Sequence, residues 1–145
     1  MSTHNLTEPQ QQALLVAARH AQLQAYAPYS SYRVGAAVLD DKGRIHAGCN
    51  VENAAYPEGL CAEASALAAM VLAGGTRACA VLVVGSGGDS AGGWITPCGG
   101  CRQKLREFGA PDMPVMSANG HALGPSHTLA DLLPASFGPD HLKPR

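Results

Sequence analysis

The run Ala78-Cys-Ala-Val-Leu-Val-Val84 (ACAVLVV) is continuously apolar and ends at Gly85. Such a run predicts a strand buried on both faces, and therefore one at the centre of a sheet. Before it, Cys61 to Ala73 is a stretch of strong helix formers that stops at Gly74-Gly75. After it, a glycine-rich loop from Gly85 to Gly93 and Trp94-Ile-Thr-Pro97 lead into a second helix, opening around Cys98 and ending near Gly109. Both helices flanking the central strand thus begin at cysteine.

Further out, Arg33 to Leu39 and Arg44 to Val51 read as a hairpin joined by Asp40-Asp41-Lys42-Gly43, whose glycine supplies a positive φ. A first helix is expected from Thr7, with Gln10 completing a capping box and Pro9 in the first turn, to about Tyr26. Leu14, Leu15, Ala18, Ala21 and Ala25 form its apolar stripe. Pro114 to Ser117 reads as a short strand and Thr128 to Leu133 as a short helix before a tail that holds Phe137. This order of elements implies an α/β fold, a three-layer α/β/α sandwich around a central mixed sheet. No repeat or linker divides residues 1–145, so they read as a single domain.

A chain of 145 residues can bury a real core without staples. Hydrophobic residues make up 46%, against 14% charged and 5% aromatic, so Ala, Val and Leu fill much of that core. The net charge of -1 gives no basic footprint for a polynucleotide, which favours a small-molecule substrate and no nucleic-acid partner. No apolar stretch reaches membrane-spanning length, and the start lacks the basic and apolar regions of a secretory signal, so a cytoplasmic location and no membrane partner are expected. There thiols stay reduced, and the five cysteines point to metal binding, catalysis or burial before disulfides. Cys49 and Cys79, in expected strands, read as small apolar residues. His46, His121 and His127 have no partnering motif.

Cys98-Gly-Gly-Cys101 has the spacing with which two thiolates share a zinc ion. Alone it equally suits a redox dithiol, half of a structural zinc site or two buried cysteines. Cys61-Ala62-Glu63 adds a third thiol at the other helix start, with a carboxylate beside it. Helix N-termini favour thiolate over thiol. With no fourth protein ligand in either motif, a position is left for water, the mark of a catalytic rather than a structural zinc. A non-enzymatic zinc module would need a fourth ligand and leaves Glu63 unexplained.

In the order Tyr26-Ala-Pro-Tyr-Ser30, Arg33-Val-Gly-Ala-Ala37, Gly48-Cys-Asn-Val-Glu-Asn-Ala54, Tyr56-Pro57, Cys61-Ala-Glu63, Pro97-Cys98 through Cys101-Arg102-Gln103, and Leu132-Leu-Pro134 with Phe137-Gly-Pro139, the chain resembles the small, homotetrameric class of zinc-dependent cytidine deaminases. The resemblance runs from about Ala25 to Leu142. It implies hydrolysis of free cytidine and deoxycytidine to uridine and deoxyuridine plus ammonia, a step of pyrimidine salvage. One Zn²⁺ per subunit would sit on Cys61, Cys98 and Cys101, with Glu63 carrying protons for the activated water.

The same resemblance implies that Asn50 and Glu52 hold the sugar hydroxyls and that Tyr32 is an aromatic wall. The backbone at Ala54 and Ala62 would read the base edge, and Phe137 would reach from one subunit of a homotetramer into a neighbour's active site. Many relatives carry Arg directly after the glutamate, whereas this chain has Ala64, leaving helix dipoles and Arg102 to offset the thiolate charge. A modified cytidine or similar small nucleoside is the alternative substrate.

Overall fold

The structure, a computed structural model, describes residues 5–86, 93–120 and 122–142. In chain order they form α1 (Glu8–Leu23), β1 (Val34–Asp40), β2 (Ile45–Cys49), α2 (Ala62–Leu72), β3 (Ala78–Gly85), α3 (Gly99–Phe108), β4 (Pro114–Ala118), β5 (Leu123–Thr128) and a one-turn α4 (Leu129–Leu132). Residues 87–92 of the expected glycine-rich loop, and His121, lie outside the described residues.

The apolar run becomes β3, third in a five-stranded sheet of order β2-β1-β3-β4-β5. Its pairing with β4 is parallel, reached through α3, while the pairings of β1 with β2 and β3, and of β4 with β5, are antiparallel. Successive strand side chains point to opposite faces, so a strand covered on both sides needs apolar residues throughout. Ala36, Val38, Val81 and Val83 face Ala62, Ala66 and Met70 of α2 and Leu105 of α3. Ala37, Leu39, Leu82 and Val84 face Leu14, Leu15 and Ala18 of α1. These are the two cores of a three-layer α/β/α fold with a mixed sheet.

Small residues set how closely the layers approach. A Cβ on Gly48 of β2 would stand 2.4 Å from the Ala66 nitrogen and 2.7 Å from the Ala62 oxygen. Only glycine lets β2 meet the α2 backbone this closely, and the contact falls on the first turns of α2, next to Cys61.

The β1–β2 turn is fastened from inside. Asp40, its side chain fully buried, accepts hydrogen bonds from the backbone N–H groups of Lys42 (2.8 Å) and Arg44 (2.9 Å), from Arg44 Nε (2.9 Å), and pairs with His46 Nε2 at 2.8 Å. Burial opposes ionisation of Asp40, yet these bonds outweigh it and hold the carboxyl well below the usual carboxylate range. Gly43 takes the expected positive φ of 78°.

Two elements differ from the sequence reading. Helix α1, opened by the Thr7–Gln10 capping box, ends at Leu23 rather than Tyr26, because Gln24 caps it and Tyr26 turns to bridge Val51. Strand β5 has no counterpart among the expected elements: it pairs only with β4, carries Gly124-Pro125, and is exposed at Pro125 and Ser126, so it lacks an apolar alternation.

Candidate active site

Helices α2 and α3 both lie on the face of the sheet opposite α1, and their N-termini converge. Cys61 and Cys98 are the N-cap residues, each in extended backbone, and Cys101 lies buried in the first turn of α3. The three sulfurs lie within 4.8 Å of one another, with Cys61 and Cys98 4.0 Å apart. Tetrahedral thiolates at about 2.3 Å from zinc stand about 3.8 Å from each other, so this donor set fits the ion with little adjustment. Among the described residues no other group of three or more His, Cys, Asp or Glu offers such a cluster.

Two helix N-termini aimed at the sulfurs supply positive partial charge where anions would gather. The Cys101 backbone N–H is the main cause that lowers the Cys98 thiol, whereas burial pushes Cys61 and Cys101 up. Arg102, expected to share in offsetting thiolate charge, is fixed by neutral acceptors that leave its charge in place: its guanidinium donates to Pro97 O (2.7 Å), Leu132 O (2.7 Å) and Thr96 Oγ1 (2.8 Å). It ties down the segment that enters Cys98. Ala64 is half-buried and brings no charge.

Glu63, two residues past the Cys61 cap, is only 4% exposed. Burial raises its carboxyl above the ordinary range, against weaker opposing influences from its own backbone N–H, the Cys101 thiol and the Lys104 charge. A buried carboxyl whose charged form is disfavoured, set beside a metal-ligand cluster, is the kind of group that serves as a general acid–base.

A cleft of about 490 Å³ opens over these groups, lined by Asn50, Glu52, Cys61, Ala62, Glu63 and Cys98 among others. It runs into a second hollow of about 320 Å³ walled by Tyr29, Ser30, Tyr56 and, again, Glu52. Asn50 and Glu52 are braced through their side chains. Asn50 Oδ1 accepts from the Val34 N–H (2.8 Å) and its Nδ2 donates to Tyr32 O (2.9 Å). Glu52 accepts from the Tyr29 N–H (2.9 Å), the Ser30 N–H (3.1 Å) and the Ser30 hydroxyl, which hold its carboxyl below the ordinary range.

Other expected site residues lie outside that lining. Tyr32 turns its hydroxyl toward Gly85, close to Ile95, and meets Asn50 through its backbone oxygen. Ala54 is exposed just beyond the Glu52 loop, and Phe137 is 55% exposed on the C-terminal segment. Conversely Tyr56, which the sequence marks only through the Tyr56-Pro57 block and without a role in the site, lines the cleft together with Leu60, Ile95 and Thr96, which lie in irregular or singly bridged chain and carry no signal of their own.

Residues 8–117 match the family model described as the cytidine and deoxycytidylate deaminase zinc-binding region. A cytidine deaminase of Mycobacterium tuberculosis is 44% identical over 118 residues, covering 81% of this chain and 82% of that one. One of Sporosarcina psychrophila is 40% identical over 129 residues, covering 89% and 92%. The crystal structure of cytidine deaminase from Burkholderia pseudomallei superposes with a TM-score of 0.79 at 40% identity, over 91% of this chain and 100% of that one. With the matched region spanning α1 to β4 and both cysteine motifs inside it, the chain belongs to the cytidine and deoxycytidylate deaminase zinc-binding family.

Proposed function

We propose that the protein hydrolyses free cytidine and deoxycytidine to uridine and deoxyuridine with release of ammonia, in cytoplasmic pyrimidine salvage. The observation that carries this reading is the buried Glu63 carboxyl beside the three clustered sulfurs, in a cleft that also holds Asn50 and Glu52. Zinc bound to Cys61, Cys98 and Cys101 supplies a Lewis acid and lets a water act as nucleophile at neutral pH.

Glu63 does the proton work. Its carboxylate accepts a proton from the attacking water and delivers it to ring N3, so that C4 gains an oxygen substituent. Glu63 then passes the second proton of that water to the departing amine. Ammonia leaves, and the C4 oxygen remains as the carbonyl of uridine. General acid–base catalysis of this kind contributes about 10²–10⁴-fold.

Asn50 and Glu52 bind the sugar hydroxyls, prepared by the bonds that already fix their side chains. On the family resemblance, the Ala54 and Ala62 backbone reads the pyrimidine edge and Tyr32 flanks the nucleoside; of these, Ala62 stands in the cleft lining, and Ala54 and Tyr32 border it. Residues 1–145 act as one domain, and the working form is a homotetramer in which Phe137 completes a neighbour's site.

Turnover of free cytidine, deoxycytidine and a cytidine-containing oligonucleotide tests the substrate class. Loss of the cytidine absorbance band is expected for the two nucleosides and not for the oligonucleotide; equal turnover of all three would sink the free-nucleoside reading.

A further inference from the structure

The C-terminal segment that carries Phe137 hangs from one face of α3, the helix whose other end holds Cys98 and Cys101. Residues 103 and 106 are one helical turn apart and point to the same side. Gln103 Nε2 donates to the Phe137 carbonyl at 2.9 Å. Arg106 donates through Nε to Ser136 Oγ (2.9 Å) and through Nη2 to Asp140 Oδ1 (2.7 Å). Its guanidinium also lies flat against the chain between them: a Cβ on Gly138 would sit 2.2–2.5 Å from three guanidinium atoms. The φ of Gly138 is -153°, so a side chain there would displace the Arg106 guanidinium rather than strain the backbone.

The segment is also braced from within. The Gly138 N–H donates to His141 Nδ1 at 3.0 Å, and the imidazole stacks on the Phe137 ring with centroids 5.2 Å apart and planes inclined by 15°. Phe137 therefore has its carbonyl held by Gln103, the following residue held by Arg106, and its ring stacked on His141, yet it remains 55% exposed. A merely structural anchor would bury the ring. An exposed aromatic so fully braced is prepared for contact beyond its own chain, because the ordering entropy is spent before the contact forms.

We infer that Arg106 and His141 are positioning residues that hold Phe137 in the posture with which it completes the active site of a second copy of this chain. This rests on the role proposed above for Phe137. It adds that α3 links the metal ligands of one subunit to the aromatic that subunit lends to its neighbour.

The test is a double-mutant cycle on cytidine turnover: Arg106→Gln and His141→Ala, each in the wild-type and the Phe137→Ala backgrounds, with zinc content, thermal melting and sedimentation recorded for every variant. In the wild-type background both are expected to raise KM roughly three- to tenfold, the worth of an ordered aromatic contact, with kcat and zinc content little changed. In the Phe137→Ala background neither should raise KM further.

Additive effects on top of Phe137→Ala, or an unchanged KM in both variants while Phe137→Ala alone raises it, would overturn the positioning role and leave the role of Phe137 standing. An unchanged KM in Phe137→Ala itself would overturn the reading of Phe137 and this inference with it. The His141 side chain is half-exposed, so His141→Ala keeps the test decisive even if Arg106→Gln does not fold.

Discussion

The Cys61 and Cys98 sulfurs stand 4.0 Å apart although 37 positions separate them in the chain, because β3 returns the chain between two helices that start at the same end of the sheet. A metal ion held there joins α2 to α3. Purified protein is therefore expected to carry one zinc per chain, and Cys98→Ser or Cys101→Ser to abolish stoichiometric binding. Chelation should lower the melting temperature, since free zinc at roughly 1,000-fold above Kd stabilises by about 4 kcal/mol. Acidification should weaken binding, because the ligands are thiolates and burial already pushes the Cys61 and Cys101 thiols up. Metal analysis and melting with and without chelator check both statements.

The approach of β2 to the first turns of α2 depends on the missing side chain of Gly48. Gly48→Ala drives a methyl group into α2 backbone, an overpacking that costs about 1–3 kcal/mol. Because the affected turn begins directly after Cys61, zinc affinity should fall along with stability. Urea unfolding and zinc titration measure the two losses together; a variant that is destabilised but binds zinc normally would separate the packing from the metal site.

Asp40 offers a pH test remote from the cleft. Its folded-state carboxyl lies below the value of an unfolded chain, so the stability it lends is complete above an unfolded pKa of about 3.9 and is lost as pH falls toward the folded value. Asp40→Asn removes the charge from a fully buried acceptor with His46 and Arg44 as partners, and should cost about 2–3 kcal/mol at neutral pH. The difference between wild type and variant should hold from pH 7 to about pH 4 and shrink only as the pH falls below that.

Much of the fold is legible in the sequence, and the gaps have physical reasons. The apolar run at 78–84, the Thr7 capping box and the turn at Gly43 are local signals, and each produces the expected element. The metal cluster is readable because Cys61 and Cys98 each stand at a helix start, with Cys101 within the first turn of the second helix. Strand β5 is not readable, since an edge strand with Pro125 needs no apolar pattern. The Asp40–His46 pair is set by hairpin register, with His46 opposite Val38, and no spacing rule announces it. Likewise Glu52 depends on Ser30, 22 positions away, and Tyr56 and Ile95 enter the cleft only because the fold closes around it.

The most direct single measurement is cytidine turnover by zinc-loaded wild type against zinc-loaded Glu63→Gln. The variant keeps the shape of the buried side chain and all three sulfur ligands, so it is expected to melt within a few degrees of wild type and bind one zinc. Its kcat should fall by about 10²–10⁴-fold, the share of a proton carrier. A Glu63→Gln protein that binds zinc and still deaminates cytidine at the wild-type rate would contradict the account, because the buried carboxyl would then have no part in the chemistry.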